Sequence, residues 1–374
     1  MAFQKLSRRS FVKAAGILGA SALFASNLGL ALADEKKDEA AASGDVEMIT
    51  VTDMAGREVT FPKNPKRVFS TSPTCEAWLA AICPEAIIGW ANTMSEAQLS
   101  YYPEVCRDKE TIGGWYGGKE GNAEGIVAEA PDVIVAAYNL EKEQSYGTDV
   151  EELETKLGVP VLCVSWAIKD IPEVYRKLGE WFGKEELGKQ LGDYVQSVLD
   201  KVDATVAKVP EDQVARYYYA EDTSGLETEA NGSFHIAVFD YCGMTNCAGE
   251  DIEMSSGMGM EQVSMEQVIN WNPENIFVYS SVAFETITTS DLWADIEAVK
   301  TGHVFMNPSM PQNWFDRSPN PLRVIGCLYT VSCVYPDYCD FDLETEIKDY
   351  FKTLYGVEIT EEQYDALLTT GTAD

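Results

Sequence analysis

Residues 184–209 read KEELGKQLGDYVQSVLDKVDATVAKV, and the rest of the chain is arranged around them. Apolar side chains stand at Leu187, Leu191, Tyr194, Val195, Val198, Leu199, Val202 and Val206, in steps of three and four that form one buried stripe on a helix. A helix over the whole stretch would be roughly 39 Å long, about the diameter of a small domain. Pro210 ends it, because proline lacks a backbone donor and clashes with the preceding turn.

Working outward, one short pattern occurs once on each side of this helix. Before it stand Asn122, Ala123, Glu124, Gly125, Ile126, Val127, then Ala130, Pro131, Asp132, Val133, Ile134, Val135. After it stand Ser264, Met265, Glu266, Gln267, Val268, Ile269, then Asn272, Pro273, Glu274, Asn275, Ile276, Phe277. Each copy reads as a capping residue, a short helix, a proline stop and a buried strand, with the glutamate seven residues before the proline. The expected fold is α/β: two similar lobes, each a mainly parallel sheet flanked by helices, joined by one long α-helix.

A chain of 374 residues, 45% apolar, is long enough for two domains that need neither metal nor disulfide to hold a core. The first 33 residues contain no acid, carry Lys5, Arg8, Arg9 and Lys13, and continue in a Gly/Ala/Ser-diluted apolar run to Ala31, Leu32, Ala33. That is an export signal, and Ser7 to Lys13 has the twin-arginine form. The run is too short and weakly apolar for the ~20 residues of a membrane span. Cleavage near Ala33 leaves 24 basic against 61 acidic residues, a net charge of −37, which makes nucleic acid and anionic membrane poor partners. All nine cysteines lie in the mature part. Some can pair outside the membrane, Cys242 and Cys247 being the closest couple in sequence. The absence of a CxxC argues against thiol redox catalysis and a zinc ribbon.

In chain order, residues 34–46 read as a solvated linker and Ile49 to Phe61 as a hairpin turning at Ala55 and Gly56. Strands follow at Val68 to Ser70, Val133 to Ala137 and Val161 to Val164, alternating with helices from Thr74 and from Asp149. Beyond the long helix come strands at Arg216 to Ala220, Ile276 to Tyr279 and Val304 to Met306. Helices are expected from near Ser233 and at Pro321 to Val334, Glu344 to Tyr355 and Thr360 to Leu368. This rhythm implies parallel strands, with ligands beyond their carboxyl ends. The expected segments are 47–167 for the N-terminal lobe, 168–210 for the helical connector and 211–374 for the C-terminal lobe.

These residues resemble the extracytoplasmic binding proteins of ATP-driven importers for iron chelates and cobalamin. The likeness rests on Val51 to Arg57, Arg67 to Ser72 with Glu76, Gly232 to Phe234 ahead of Gly243 to Asn246, Val263 to Gln267, and Ala298 to Val304. Singly these motifs are weak; their shared order over about 250 residues is what identifies the family. The resemblance implies a ligand cleft between lobes held by a stiff helix, without a large closing motion. It also implies that Glu124 and Glu266 dock on arginines of a permease dimer, as charge-assisted bonds allow. First-turn glutamates are also favoured simply by the helix dipole. Two departures stand out: no lipid-attachment cysteine ends the signal, and the cysteine count is high.

The expected ligand contacts are Thr71, Ser72, Trp115, Tyr116, Tyr138, Trp166, Ser233, Phe234, Met260, Trp314, Phe315 and Arg317, all on loops at strand ends. Aromatic rings there suit a flat or greasy metal complex, although any of them can equally be core. Trp314, Phe315, Asp316, Arg317 is similar to a run that lines the cleft of cobalamin binders, and Arg317 could meet an anionic chelate or a corrin side chain, or else pair with Asp316. The two histidines, His235 and His303, do not make the clusters that bare zinc or manganese needs. Met258, Met260 and His235 are thin candidates as haem ligands. The cargo expected is an iron complex, siderophore-like or haem, with a corrinoid as the alternative and a molybdate-type oxyanion behind both. No catalytic residue, resident metal or cofactor is expected, and the chain should act as a monomer. A metal-centre enzyme or hydrolase would need a phosphate loop, a nucleophile elbow or a His-based triad, none of which is visible. A surface sensor or adhesin reusing the fold would bind no small molecule.

Overall fold

The computed structural model describes residues 46–369 apart from Gly118, Tyr146, Thr148, Glu250 and residues 255–258. The export signal, the linker up to residue 45 and Met258 therefore lie outside the described residues.

The chain forms two parallel sheets. In the first, Val133–Asn139 lies between Val68–Ser70 and Val161–Ser165, all parallel, with a short antiparallel strand, Gln144–Ser145, at its far end. In the second the order is Val304–Met306, Asn275–Val278, Arg216–Ala220, Thr245–Asn246, again all parallel. Successive side chains on a strand face opposite ways, so a strand covered on both sides is apolar throughout. That is observed: Val133, Val135 and Ala137 face one core while Ile134 and Ala136 face another, and Tyr217 and Tyr219 oppose Tyr218 and Ala220. Each sheet thus has its own outer core, and the inner faces share one.

The hairpin pairs Met48–Thr52 with Glu58–Pro62. Its turn is tied by Asp53, which accepts from the Ala55 and Arg57 N–H groups and from Cys163 N at 3.1 Å, pinning the hairpin to the first lobe.

The long helix spans Glu185–Val206. It covers the whole apolar stripe but is shorter than the expected 184–209 at both ends. Lys184 has left helical geometry, and Lys208 and Val209 donate to Thr205 and Val206 in tighter turns before Pro210. Its stripe is buried as expected, with Leu191, Val195, Val198, Leu199 and Val202 in the shared core. Ile171–Trp181 packs against it where Gly179 meets Gly188; a Cβ on Gly188 would sit 2.7 Å from the Gly179 Cα. Glycine is required there because the two backbones touch.

Both copies of the repeated unit form. Asn122 Oδ1 accepts from Gly125 N at 3.0 Å ahead of Ala123–Ala128, and Ser264 makes a reciprocal capping box with Gln267 ahead of Met265–Trp271. The last helices do not stay with the second lobe. Leu343–Tyr355 and Glu361–Thr369 return to the first, placing Phe351 5.4 Å from Tyr101, Tyr355 5.3 Å from Tyr102, and the Gln363 carbonyl 2.8 Å from the Tyr101 hydroxyl. The shared core accordingly runs from Val59 to Leu367. Helices Ser281–Thr289 and Glu297–Thr301 and the small pairing of Glu227–Thr228 with Glu261–Gln262 add to what the sequence led us to expect.

Candidate ligand site between the lobes

The carboxyl ends of the strands set the site. On the first lobe, Ser70 runs into Thr71 and Ser72, which are fully buried, and their Oγ atoms have no hydrogen-bond partner among the described residues. Val133–Asn139 ends in the half-buried Tyr138, and Val161–Ser165 leads into Trp166. On the second lobe, Arg216–Ala220 leads into Glu221, Asn275–Val278 into Tyr279, and Val304–Met306 into Asn307.

Trp166 and Phe234 meet across the lobes with ring centroids 6.0 Å apart. Phe234 follows Ser233, whose hydroxyl caps the short turn by accepting from His235 N at 3.2 Å. His235 Nδ1 is 3.0 Å from Asp316 Oδ2, so a carboxylate fixes the orientation of this ring. Among the described residues no cluster of three or more His, Cys, Asp or Glu is arranged to hold a metal ion.

Asp316 leads to a buried group of charged side chains. The Arg317 guanidinium reaches Glu221 Oε1 at 2.5 Å, Asp316 Oδ2 at 2.7 Å and Glu229 Oε1 at 3.5 Å, with its centre 5.0 Å from the Tyr279 ring centroid. Burial pushes the Glu221 carboxyl well above its usual range; Arg317 opposes that, and Glu229, within hydrogen-bonding reach, reinforces it. Burial acts the same way on Asp316, but Arg317 and His235 outweigh it and hold that carboxyl below its usual range. Three buried carboxyls therefore share one guanidinium, and Glu221 and Glu229 also lie within hydrogen-bonding reach of each other, while Asp316 Oδ1 has no partner among the described residues. Buried acids are rarely grouped this closely, so three carboxyls around one guanidinium make an acidic floor to this side of the cleft.

The loop carrying Arg317 also contacts the first lobe. Gln312 Nε2 donates to Glu76 Oε2 at 3.3 Å, and Gln98 Nε2 donates to the Pro311 carbonyl at 2.9 Å. Glu76, in the first turn of Pro73–Ile82, is buried, and its carboxyl is pushed up to about 8 by that burial, against the pull of the Ala91 and Asn92 N–H groups. Beside it the first lobe holds a cavity of about 420 Å³ lined by Asn92, Thr93, Thr111, Tyr116, Lys119 and Glu120, among others.

The structure divides the expected contacts. Tyr116, Tyr138, Trp166, Phe234, Met260 and Arg317 keep part of their surface open, and Thr71, Ser72 and Ser233 lie buried at the sheet edges. Met260 reaches the acidic group through its backbone, which donates to Glu229 Oε1 at 3.2 Å. Trp115, Trp314 and Phe315 are core residues instead. Trp115 is 3% exposed in the outer core of the first lobe. Trp314 and Phe315 are fully buried, with Trp314 Nε1 donating to the Met310 carbonyl and Phe315 packed on Phe239 and Phe277. They leave the contact set because their loop turns inward. Arg317 pairs with Asp316 and two further acids, so it offers no free cation to an anionic ligand. Reading the sequence missed Glu221 and Glu229; Glu221 directly follows a strand end and was findable on that rule, whereas Glu229 was not.

Glu124 and Glu266 both lie exposed in the first turns of their helices, and neither forms an ion pair among the described residues. All nine cysteines are unpaired, so the suggested Cys242–Cys247 link does not form; Cys242 instead lies buried with its Sγ 3.6 Å from the Cys327 carbonyl oxygen.

Comparison with known proteins adds the following. A family profile described as periplasmic binding protein matches residues 70–311. The vitamin B12-binding protein of Salmonella choleraesuis is 28% identical over 257 residues, covering 67% of this chain and 84% of that protein. The molybdate-binding protein MolA of Haemophilus influenzae is 23% identical over 331 residues, covering 82% and 90%. A solved ABC transporter solute binding protein from Sulfurospirillum deleyianum superposes with a TM-score of 0.77 at 27% identity, covering 85% of this chain and 98% of that one.

Proposed function

The chain belongs to the periplasmic binding protein family, and on that premise we propose that it is the substrate-binding component of an ABC importer, carrying a metal complex between its lobes to a membrane permease. The observation that carries the choice of cargo is the buried acidic group of Glu221, Glu229 and Asp316 around Arg317, contiguous through His235 with the Trp166–Phe234 ring pair. Carboxyl oxygens accept N–H and O–H donors, an ionised carboxylate such as Asp316 repels anions, and aromatic rings cover flat apolar surface. The cargo that fits is a neutral or cationic metal complex with an amide-bearing rim. An iron chelate of the neutral hydroxamate kind meets that description. A corrinoid meets it too, with a specific observation in its favour: its peripheral amides supply donors for several acceptors at once. Molybdate is an anion, and haem brings two carboxylates, so the same acceptors oppose both.

The chain performs no chemistry on this cargo. It is exported by the signal at residues 1–33, acts as a monomer outside the cytoplasm, and docks on a permease dimer through Glu124 and Glu266. Calorimetric titration of the mature protein with a neutral ferric hydroxamate, cyanocobalamin, haem and molybdate tests the cargo. The expected result is one-to-one binding, micromolar or tighter, by one of the first two. Tight binding of molybdate or haem alone would overturn the charge argument. Changing Glu124 and Glu266 together to alanine should abolish uptake and leave that affinity unchanged.

A further inference from the structure

The helix starts that carry Glu124 and Glu266 are alike in more than the acid. Each reads acid, spacer, buried apolar, exposed apolar: Glu124, Gly125, Ile126, Val127 on one lobe and Glu266, Gln267, Val268, Ile269 on the other. Ile126 and Val268 are fully buried and anchor each helix to its own sheet. Val127 and Ile269 turn outward, 44% and 52% exposed, and neither belongs to any core cluster. Each lies three residues after its glutamate, hence on the same helix face one turn further on. Each helix also runs through a short connection into a sheet strand, Val133–Asn139 or Asn275–Val278, so its start points toward the side where that strand ends and the cleft opens.

A single apolar residue left in water is ordinary. An acid-plus-apolar couple at corresponding positions of both repeats has no explanation in the packing of the chain. We infer that each couple is one half of a duplicated docking contact, in which Val127 and Ile269 enter apolar notches beside the basic groups met by Glu124 and Glu266. This rests on the permease-docking reading above and adds two contact residues to it. The occupant is a permease of two like halves, because such a partner offers the same notch twice. Charge selects it: a second copy of this chain would set −37 against −37, glutamates facing glutamates, and an anionic lipid surface is repelled likewise. In such a contact the acids steer and orient the encounter while the apolar pair resists separation.

The test uses the full mature chain and the permease complex with which it supports uptake, reconstituted in nanodiscs, with binding kinetics measured at several salt concentrations. The unaltered chain is compared with the Val127→Ser, Ile269→Ser double variant, each of its two single variants, and the Glu124→Ala, Glu266→Ala double variant. The apolar variant should dissociate faster, weaken binding about tenfold or more, and keep the original salt dependence. The acid variant should associate more slowly and lose most of that dependence. Val127→Thr with Ile269→Thr, which keep the β-branch, should move in the same direction as the serine pair, and unchanged melting curves for all variants keep the comparison on binding. If the apolar variants bind within twofold of the unaltered chain while the acid variant fails, the inference is overturned and glutamate docking stands. If neither pair affects binding, the docking reading itself is overturned. An effect confined to one lobe overturns the duplicated contact.

Discussion

Glutamine in place of Glu76 should remove a decline in stability that is expected of the natural chain as pH rises. Glu76 is 2% exposed, and burial raises its carboxyl from 4.5 to about 8, even though the Ala91 and Asn92 N–H groups pull the other way. A group that titrates near 4.5 unfolded and about 8 folded holds its proton more tightly in the folded state by about 5 kcal/mol, at ~1.4 kcal/mol per pH unit. Between those values the folded chain keeps the proton and the unfolded chain releases it. The stabilisation is therefore complete below pH 4.5 and is lost progressively up to pH 8. Glutamine resembles the protonated acid. Its carbonyl can still accept from Ala91 N, which lies 2.5 Å from Glu76 Oε1, and its amide can meet Gln312, whose Oε1 has no partner in the natural chain. Urea unfolding at intervals from pH 5 to 9 is the assay. The two proteins should match near pH 5 and diverge by several kcal/mol by pH 8, the variant being the more stable. Parallel curves over the whole range would refute the assignment of a buried, proton-holding carboxyl at this position.

Other expectations follow from the same geometry. Arg317→Met strands Glu221, Glu229 and Asp316 without their shared cation; the loss should be about 3–5 kcal/mol at neutral pH, read by urea unfolding, and should shrink on acidification as Asp316, held below its usual range by Arg317, protonates in the variant. In Gly188→Ala the new methyl sits 2.6 Å from the Tyr175 carbonyl oxygen, so the two helices must separate; a cost of about 1–3 kcal/mol should appear as a lowered melting temperature. Burial lifts the thiols of Cys106 and Cys163 to about 12 and that of Cys247 to about 11; a thiol reagent should react slowly with the native protein and titrate all nine cysteines once it is unfolded.

What could be read ahead of the structure was whatever the chain encodes locally. The stripe from Leu187 to Val206 and the stop at Pro210 mark one helix whatever surrounds it, and the caps at Asn122 and Ser264 need only the three residues after them. The doubly covered strands announced themselves as short apolar runs. What escaped depends on residues far apart in sequence. Arg317 finds Glu229 and Glu221 from 88 and 96 positions away, so its charge is already engaged, and nothing near residue 317 signals this. Trp314 and Phe315 sit on a loop, where aromatics are good candidates for ligand contact. That loop is folded into the core by bonds such as Asn320 Nδ2 to the Asn313 carbonyl, and it takes both rings with it. The return of the last two helices to the first lobe is again a long-range pairing, visible only when Tyr101 meets Phe351 and Gln363.

The most direct test of a cargo held between the lobes is the intrinsic fluorescence of the mature protein and of its Trp166→Phe variant, titrated with cyanocobalamin and with a neutral ferric hydroxamate. Trp166 meets Phe234 across the cleft, whereas Trp78, Trp90, Trp181 and Trp314 are fully buried. One of the two complexes should quench the natural protein saturably at one equivalent, and the variant should bind it more weakly with most of that quenching gone. Equal quenching in both proteins would place the cargo away from the Trp166–Phe234 pair, and no response to either complex would contradict the metal-complex reading itself.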